Sequence, residues 1–291
     1  MGQVLVFQLI NGAIVGVFYG LMALGLSLIL NLTRVINLAH GGFLVIGAYL
    51  AYSLSRYVGF WGALLVAPVL TALIGIFIEM VVVRRLYKRN PLDSLLLTFG
   101  LALVLEEAVR ITWGTLGMPF QVPDFLGQSL LPGTGFFFVT RYRLFLILMA
   151  ALNGVLLYLF MVRTRLGIYI RAAVLDSETL NALGTNVSRL YTLSFGIGTL
   201  IAGLAGVLAA GQLGLTPTMG NNLIMPSFVA IIIGGVGSLL GSFVGGLIIG
   251  ISSGLAGQFA PAASEFAIYL ILAITLLIRP RGLFGQEGFF E

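Results

Sequence analysis

Asp, Glu, Lys and Arg make up 9% of this 291-residue chain, where about 25% is ordinary for a soluble protein. A water-soluble fold needs a charged surface, and this sequence has too few charges to make one. Hydrophobic residues are 59% of the chain, and they fall in long runs. A bilayer core about 30 Å thick takes roughly 20 apolar residues of helix. Such runs occur at about 4–32, 35–55, 59–83, 94–113, 144–162, 190–212 and 264–279. Nothing alternates apolar and polar residues in the manner of a β-barrel strand. The reading is an all-α, polytopic integral membrane helical bundle forming a single transmembrane domain over 1–291. It expects about 8 spans plus a broken or re-entrant glycine-rich helix.

Composition also excludes chemistry. The chain has no cysteine and one histidine, so disulfide scaffolds, thiolate metal sites and cysteine nucleophiles fall, and a single histidine argues against a His-rich metal site or a catalytic triad. No H-E-x-x-H motif occurs, nor any G-x-x-x-x-G-K-[ST] loop for ATP hydrolysis. The chain reads as non-enzymatic, with no metal and no cofactor of its own. The net charge of +5 reads as membrane orientation, not as nucleic-acid binding. The start, MGQVLVFQLINGAIVGVFYG, lacks a basic n-region and a small-residue cleavage site, so it reads as an uncleaved first span.

Arg84, Arg85, Lys88 and Arg89 follow the third run, and Arg163, Arg165, Arg171 and Arg189 lie between the fifth and sixth. Both connections are therefore expected on the cytoplasmic side, with the N-terminus outside and the C-terminus inside. The sixth span then ends outside, whereas Arg279 and Arg281 belong inside, so an odd number of crossings must separate them. The stretch 223–258 satisfies this either by crossing twice as broken helices or by being re-entrant. Gly234, Gly235 and Gly237 supply the break, and irregular backbone at that depth must be buried in protein or line a wet cavity. They are candidate pathway residues.

Small residues recur every fourth position at Gly12, Gly16 and Gly20, at Gly198, Ala202, Gly206, Ala210 and Gly214, and at Gly246, Gly250 and Gly254. That spacing forms one helix face on which backbones approach closely, within this bundle or against a second subunit.

Three polar groupings fall at membrane depth. Asn37 and His40 stand near the inner end of the second span, as packing residues or a gate. Glu79, near the inner end of the third, reads as an acid snorkelling to the interface beside Arg84. Glu106 and Arg110 are spaced i,i+4 and Glu107 and Arg110 i,i+3 in the fourth span. One arginine cannot neutralise both acids, so the group is a structural ion pair or lines a cavity.

The connection 163–189 reads RTRLGIYIRAAVLDSETLNALGTNV at its start. Asp176 is an N-cap, Glu178 suits the first turn of a helix, and Gly184 suits its stop. The result is a two-turn cytoplasmic helix, either an ordinary connector or a docking element.

Resemblance bears on that choice. The NLAHGGFLVIGAY block at the second span, the RAAVLDSETLNALG block of this connection and the later IIIGGVGSLLGSFVGGLIIG, in that order, resemble the permeases of branched-chain amino acid ATP-binding cassette importers. The resemblance implies a second, distinct permease, two cytoplasmic ATPases that carry the ATP and Mg²⁺, and a periplasmic solute-binding protein, in a bacterial inner membrane. It also implies that Arg171, Ala172, Asp176, Glu178, Leu183 and Gly184 belong to a coupling helix that docks into the ATPase, and that transport proceeds by alternating access. Three places depart from the family pattern: Gly42 where many members are acidic, Arg84-Arg85-Leu86-Tyr87-Lys88 in place of an arginine–proline pair, and Glu106-Glu107. They leave open urea, short amides or other small amino acids as solute. A proton-coupled secondary transporter using Glu106 and Glu107 is the alternative from another class.

Overall fold

The computed structural model describes residues 2–87, 89–130, 139–259 and 264–285. The middle of the 114–143 connection, with Pro132, and the end of the chain past 285 lie outside the described residues. Among the described residues the regular structure is helical, with only isolated bridges at Met118–Leu215 and Ser129–Thr140.

The helices are α1 (Gly2–Thr33), α2 (His40–Val81), a 3-10 turn (Val83–Leu86), α3 (Pro91–Trp113), α4 (Asp124–Gly127), α5 (Arg141–Arg163), α6 (Arg165–Leu175), α7 (Ser177–Ala182), α8 (Val187–Leu213), α9 (Met219–Gly234), α10 (Leu239–Phe259) and α11 (Ser264–Ile278). Within the described residues, α1, α2, α5, α8 and α10 are long and apolar enough to cross a membrane. α3 has the length, but it carries Glu106, Glu107 and Arg110.

At 42 residues, α2 would run about 63 Å if straight. It does not, because Gly59 leaves the helical region at φ 69 and ψ 178. Gly47, before the break, and Pro68 and Thr71, after it, all abut Gly203 of α8. Residues 24 apart on a straight helix would be about 36 Å apart, so α2 is a hairpin folded at one residue. The two expected spans 35–55 and 59–83 are its two arms.

The chain forms two compact units, one of residues 1–23, 120–154 and 222–291, the other of 24–119 and 155–221. In the first, the glycine stripes of α1 and α10 meet face to face. A Cβ on Gly12 would strike the backbone of Gly250 and Ile251, one on Gly16 the backbone of Leu247, and one on Gly20 the Phe243 ring. The stripes thus pack within the chain. In the second unit, α8 sits between the arms of α2, with Gly206 against the Leu44 backbone and Gly75 against Thr199.

The stretch 223–258 is a broken pair of helices. α9 and α10 turn back on each other at 235–238, with Gly235 at φ 98 and Gly237 at φ 96, and Gly245 lies against Ala230 while Gly241 lies against Gly234.

Candidate functional site

The connection between α5 and α8 is more ordered than its sequence suggests. Thr164 leaves helical geometry and accepts the Gly167 N–H at 3.0 Å, which ends α5 and starts α6. Gly167 lets α6 fold tightly against Phe160 and Met161. α6 buries Gly167, Ile170 and Ala173, a spacing of three that forms one helix face. The sequence reading had no separate helix here.

Asp176 ends α6 and caps α7. Its Oδ1 accepts the N–H groups of Glu178 and Thr179, each at 3.0 Å, and its Oδ2 accepts the Thr179 hydroxyl. The Thr179 hydroxyl, then the backbone donors, hold its carboxyl below the ordinary aspartate range. At the other end, Gly184 turns at φ 87, Leu183 N–H donates to Thr179 O at 3.0 Å and Thr185 N–H to Leu180 O at 3.3 Å. Asn186 then caps α8 by accepting the Arg189 N–H at 3.2 Å. Both ends of α7 are thereby closed by local bonds.

Leu180 turns inward, while Arg171, Asp176, Glu178, Leu183 and Gly184 are exposed and Ala172 is half-buried. Leu175 and Leu183, exposed at 86% and 77%, flank the short helix. α7 therefore presents polar residues between two uncovered leucines.

The membrane-depth candidates separate into distinct settings. Arg34 at φ 55 ends α1, and the linker that follows is held to α3 through Thr98, whose hydroxyl donates to Ile36 O at 2.9 Å and accepts the Leu38 N–H at 3.3 Å. Asn37 in this linker and His40 just after it are fully buried. Among the described residues, neither the nitrogen nor the oxygen of the Asn37 amide has a hydrogen-bond partner. His40 starts α2 with its ring beside Gly25 of α1.

Glu106 and Glu107 do not act as a pair. Glu106 accepts from Arg110 Nη2 at 2.5 Å and from Asn221 Nδ2 at 2.7 Å, linking α3 to the first turn of α9. Glu107 is exposed on another face of α3, beside exposed Leu103, Val104 and Ile111. Both acids stand about 9 to 10 Å from the C-terminal end of a helix about 34 Å long, somewhat nearer its middle than that end.

Gly234 and Gly235 are buried under the chain's own C-terminal segment. Leu283 N–H donates to Ile233 O at 2.8 Å and Phe284 N–H to Gly234 O at 2.9 Å, and a Cβ on Gly282 would meet the Gly235 backbone. Gly237, at the turn, is half-buried.

Glu79 corrects the sequence reading. It does not snorkel, because its side chain has 0% exposure. Arg84 reaches it with Nε at 3.1 Å and Nη2 at 3.0 Å, and the Tyr87 hydroxyl donates to it at 2.9 Å. Arg84 Nη2 also donates to Thr192 Oγ1 of α8 at 2.6 Å, and the rings of Tyr87 and Tyr191 meet edge to face at 4.8 Å. The carboxylate bond raises the Arg84 pKa, and burial, then Glu79, pushes the Tyr87 phenol up, so it remains a donor. The sequence reading set Glu79 beside Arg84, but gave no sign of its burial or of the Tyr87 and Thr192 partners.

Long helices poor in charge, with apolar exposed faces and a capped polar element on one connection, fit a multi-pass membrane protein. Residues 8–278 match the family described as "Branched-chain amino acid transport system / permease component", and the chain belongs to that family. It is 30% identical over 295 residues to the high-affinity branched-chain amino acid transport system permease protein BraD of Pseudomonas aeruginosa, covering 96% of this chain and 95% of that one. It is 28% identical over 298 residues to the corresponding protein LivH of Escherichia coli, with the same coverage. Similarity extends to LivM of Escherichia coli, at 27% over 296 residues, 91% of this chain and 67% of that one.

Proposed function

We propose that this chain is one permease of an ATP-binding cassette importer that moves branched-chain amino acids across the inner membrane. A second, distinct permease stands beside it, two cytoplasmic ATPases drive alternating access, and a periplasmic binding protein delivers the solute. The solute class follows the names of the relatives, and the distinct partner follows the similarity to both LivH and LivM.

The observation that carries this reading is α7: a short helix capped at both ends, flanked by exposed leucines, on the connection richest in arginine. An element with no apolar length to span and no burial requirement of its own fits a docking role. Basic residues put its side in the cytoplasm. On the same rule, Arg279 and Arg281 bring the 235–238 turn to that side, so that α9 and α10 each cross.

The test is co-purification in mild detergent from the native membrane. The wild-type chain is expected to bring down two P-loop ATPases and a second permease. The double variant Asp176→Lys, Gly184→Trp is expected to enter the membrane but lose the ATPases. Normal transport by that variant would refute the docking assignment. One observation favours a second reading, proton-coupled transport, namely the exposed Glu107 on an otherwise apolar face. Uptake by the chain alone under a proton gradient would establish that reading instead.

A further inference from the structure

The cluster around Glu79 joins three elements, and its position relative to α7 gives it a task. Glu79 ends the second arm of α2, Arg84 and Tyr87 belong to the 3-10 turn and the residue after it, and Thr192 is on the second turn of α8. α8 is also the helix that α7 feeds, through a connection whose amides are bonded locally at Leu183, Gly184 and Thr185. A displacement of α7 therefore reaches the first turns of α8 directly, as it reaches α6 through Asp176.

We infer that Glu79, Arg84, Tyr87 and Thr192 form a strut that makes the inner end of α8 and the α2 hairpin move together when α7 is displaced. This inference rests on the docking role proposed for α7. The chemistry suits a strut. A carboxylate with no exposure cannot exchange its partners for water, so Arg84 is held in a fixed fork by two bonds to Glu79. The other edge of that guanidinium then has one direction to point, toward Thr192. The Thr192 hydroxyl donates to Ser188 O at 3.0 Å, which leaves an oxygen lone pair for Arg84. The neighbouring contact of Tyr87 on Tyr191 is a ring contact that tolerates sliding, and further along the helices Gly75 on Thr199 and Gly203 on Thr71 are packing contacts without a charged partner. The charge-assisted bond between Arg84 and Thr192 is the directional one.

Thr192 can be tested without opening the buried pair. Valine keeps its shape and removes the acceptor, whereas serine keeps the hydroxyl. The complex co-purified with this chain is reconstituted in liposomes, and uptake and ATP hydrolysis are measured together. For Thr192→Val, uptake per ATP hydrolysed is expected to fall roughly tenfold, the scale of a lost hydrogen bond to a charged group, while hydrolysis continues. Thr192→Ser is expected to retain the wild-type ratio and the wild-type thermal midpoint. Tyr87→Phe, which keeps the ring and removes one donor from Glu79, serves as an independent variant and is expected to lower the ratio by less. An unchanged ratio in Thr192→Val overturns the strut while leaving the importer reading intact. Wild-type liposomes that take up nothing with ATP would sink the importer reading, and the strut with it.

Discussion

Glu79 and Glu106 each accept from an arginine in the second unit, yet their surroundings differ. Glu79 has no exposure and three donors from two side chains. Glu106 keeps 13% of its side-chain exposure, its arginine keeps 35%, and its second donor is a neutral amide. Equal formal pairing therefore carries unequal consequences. Where water cannot reach, the loss of one partner strands a charge. Where water can, it substitutes for the missing group.

The contrast breaks most visibly at Arg84. Arg84→Ala leaves the buried Glu79 carboxylate with Tyr87 alone and is expected to cost about 3 kcal/mol or more, read as thermal or denaturant unfolding in micelles. Glu79→Gln should cost clearly less, because Arg84 is 38% exposed and can turn to water. Equal losses would mean that water already reaches Glu79. Next in size, Arg110→Ala at the exposed pair is expected to cost about 1 kcal/mol or less, and a loss as large as that of Arg84→Ala would erase the comparison. Smallest, Asn221→Ala removes one interhelical bond to Glu106, and such bonds average about 0.6 kcal/mol in membrane proteins. A double-mutant cycle with Glu106→Ala that returns no coupling would show that this bond contributes nothing.

The same pair of acids marks how far the sequence could be read. Glu106–Arg110 was legible because i,i+4 spacing on a helix is itself a contact. The caps at Asp176 and Gly184 were legible because capping is settled within a few residues. The glycine stripes told which face of α1 and α10 is bare, though not that each faces the other, since spacing names a surface and leaves its partner open. Glu79 was misread because two of its donors come from a 3-10 turn and the arginine's further partner, Thr192, lies 108 residues away from it. No local pattern encodes such a meeting. The separation of Glu106 from Glu107 was equally hidden, because adjacent helical residues diverge by about 100° and only packing decides which one turns inward.

The fold at Gly59 bears on how the chain enters a bilayer. The arms of α2 are joined through one left-handed residue, with Arg56 the nearest charge. A connection that short has no hydrophilic stretch on which translocation can pause after the first arm. The face that receives α8 stays unfilled until residues more than 120 positions downstream of Gly59 have been synthesised. Biogenesis of this permease thus contains an obligatory waiting interval, and the paired arms of α2 have to hold their shape on their own throughout it.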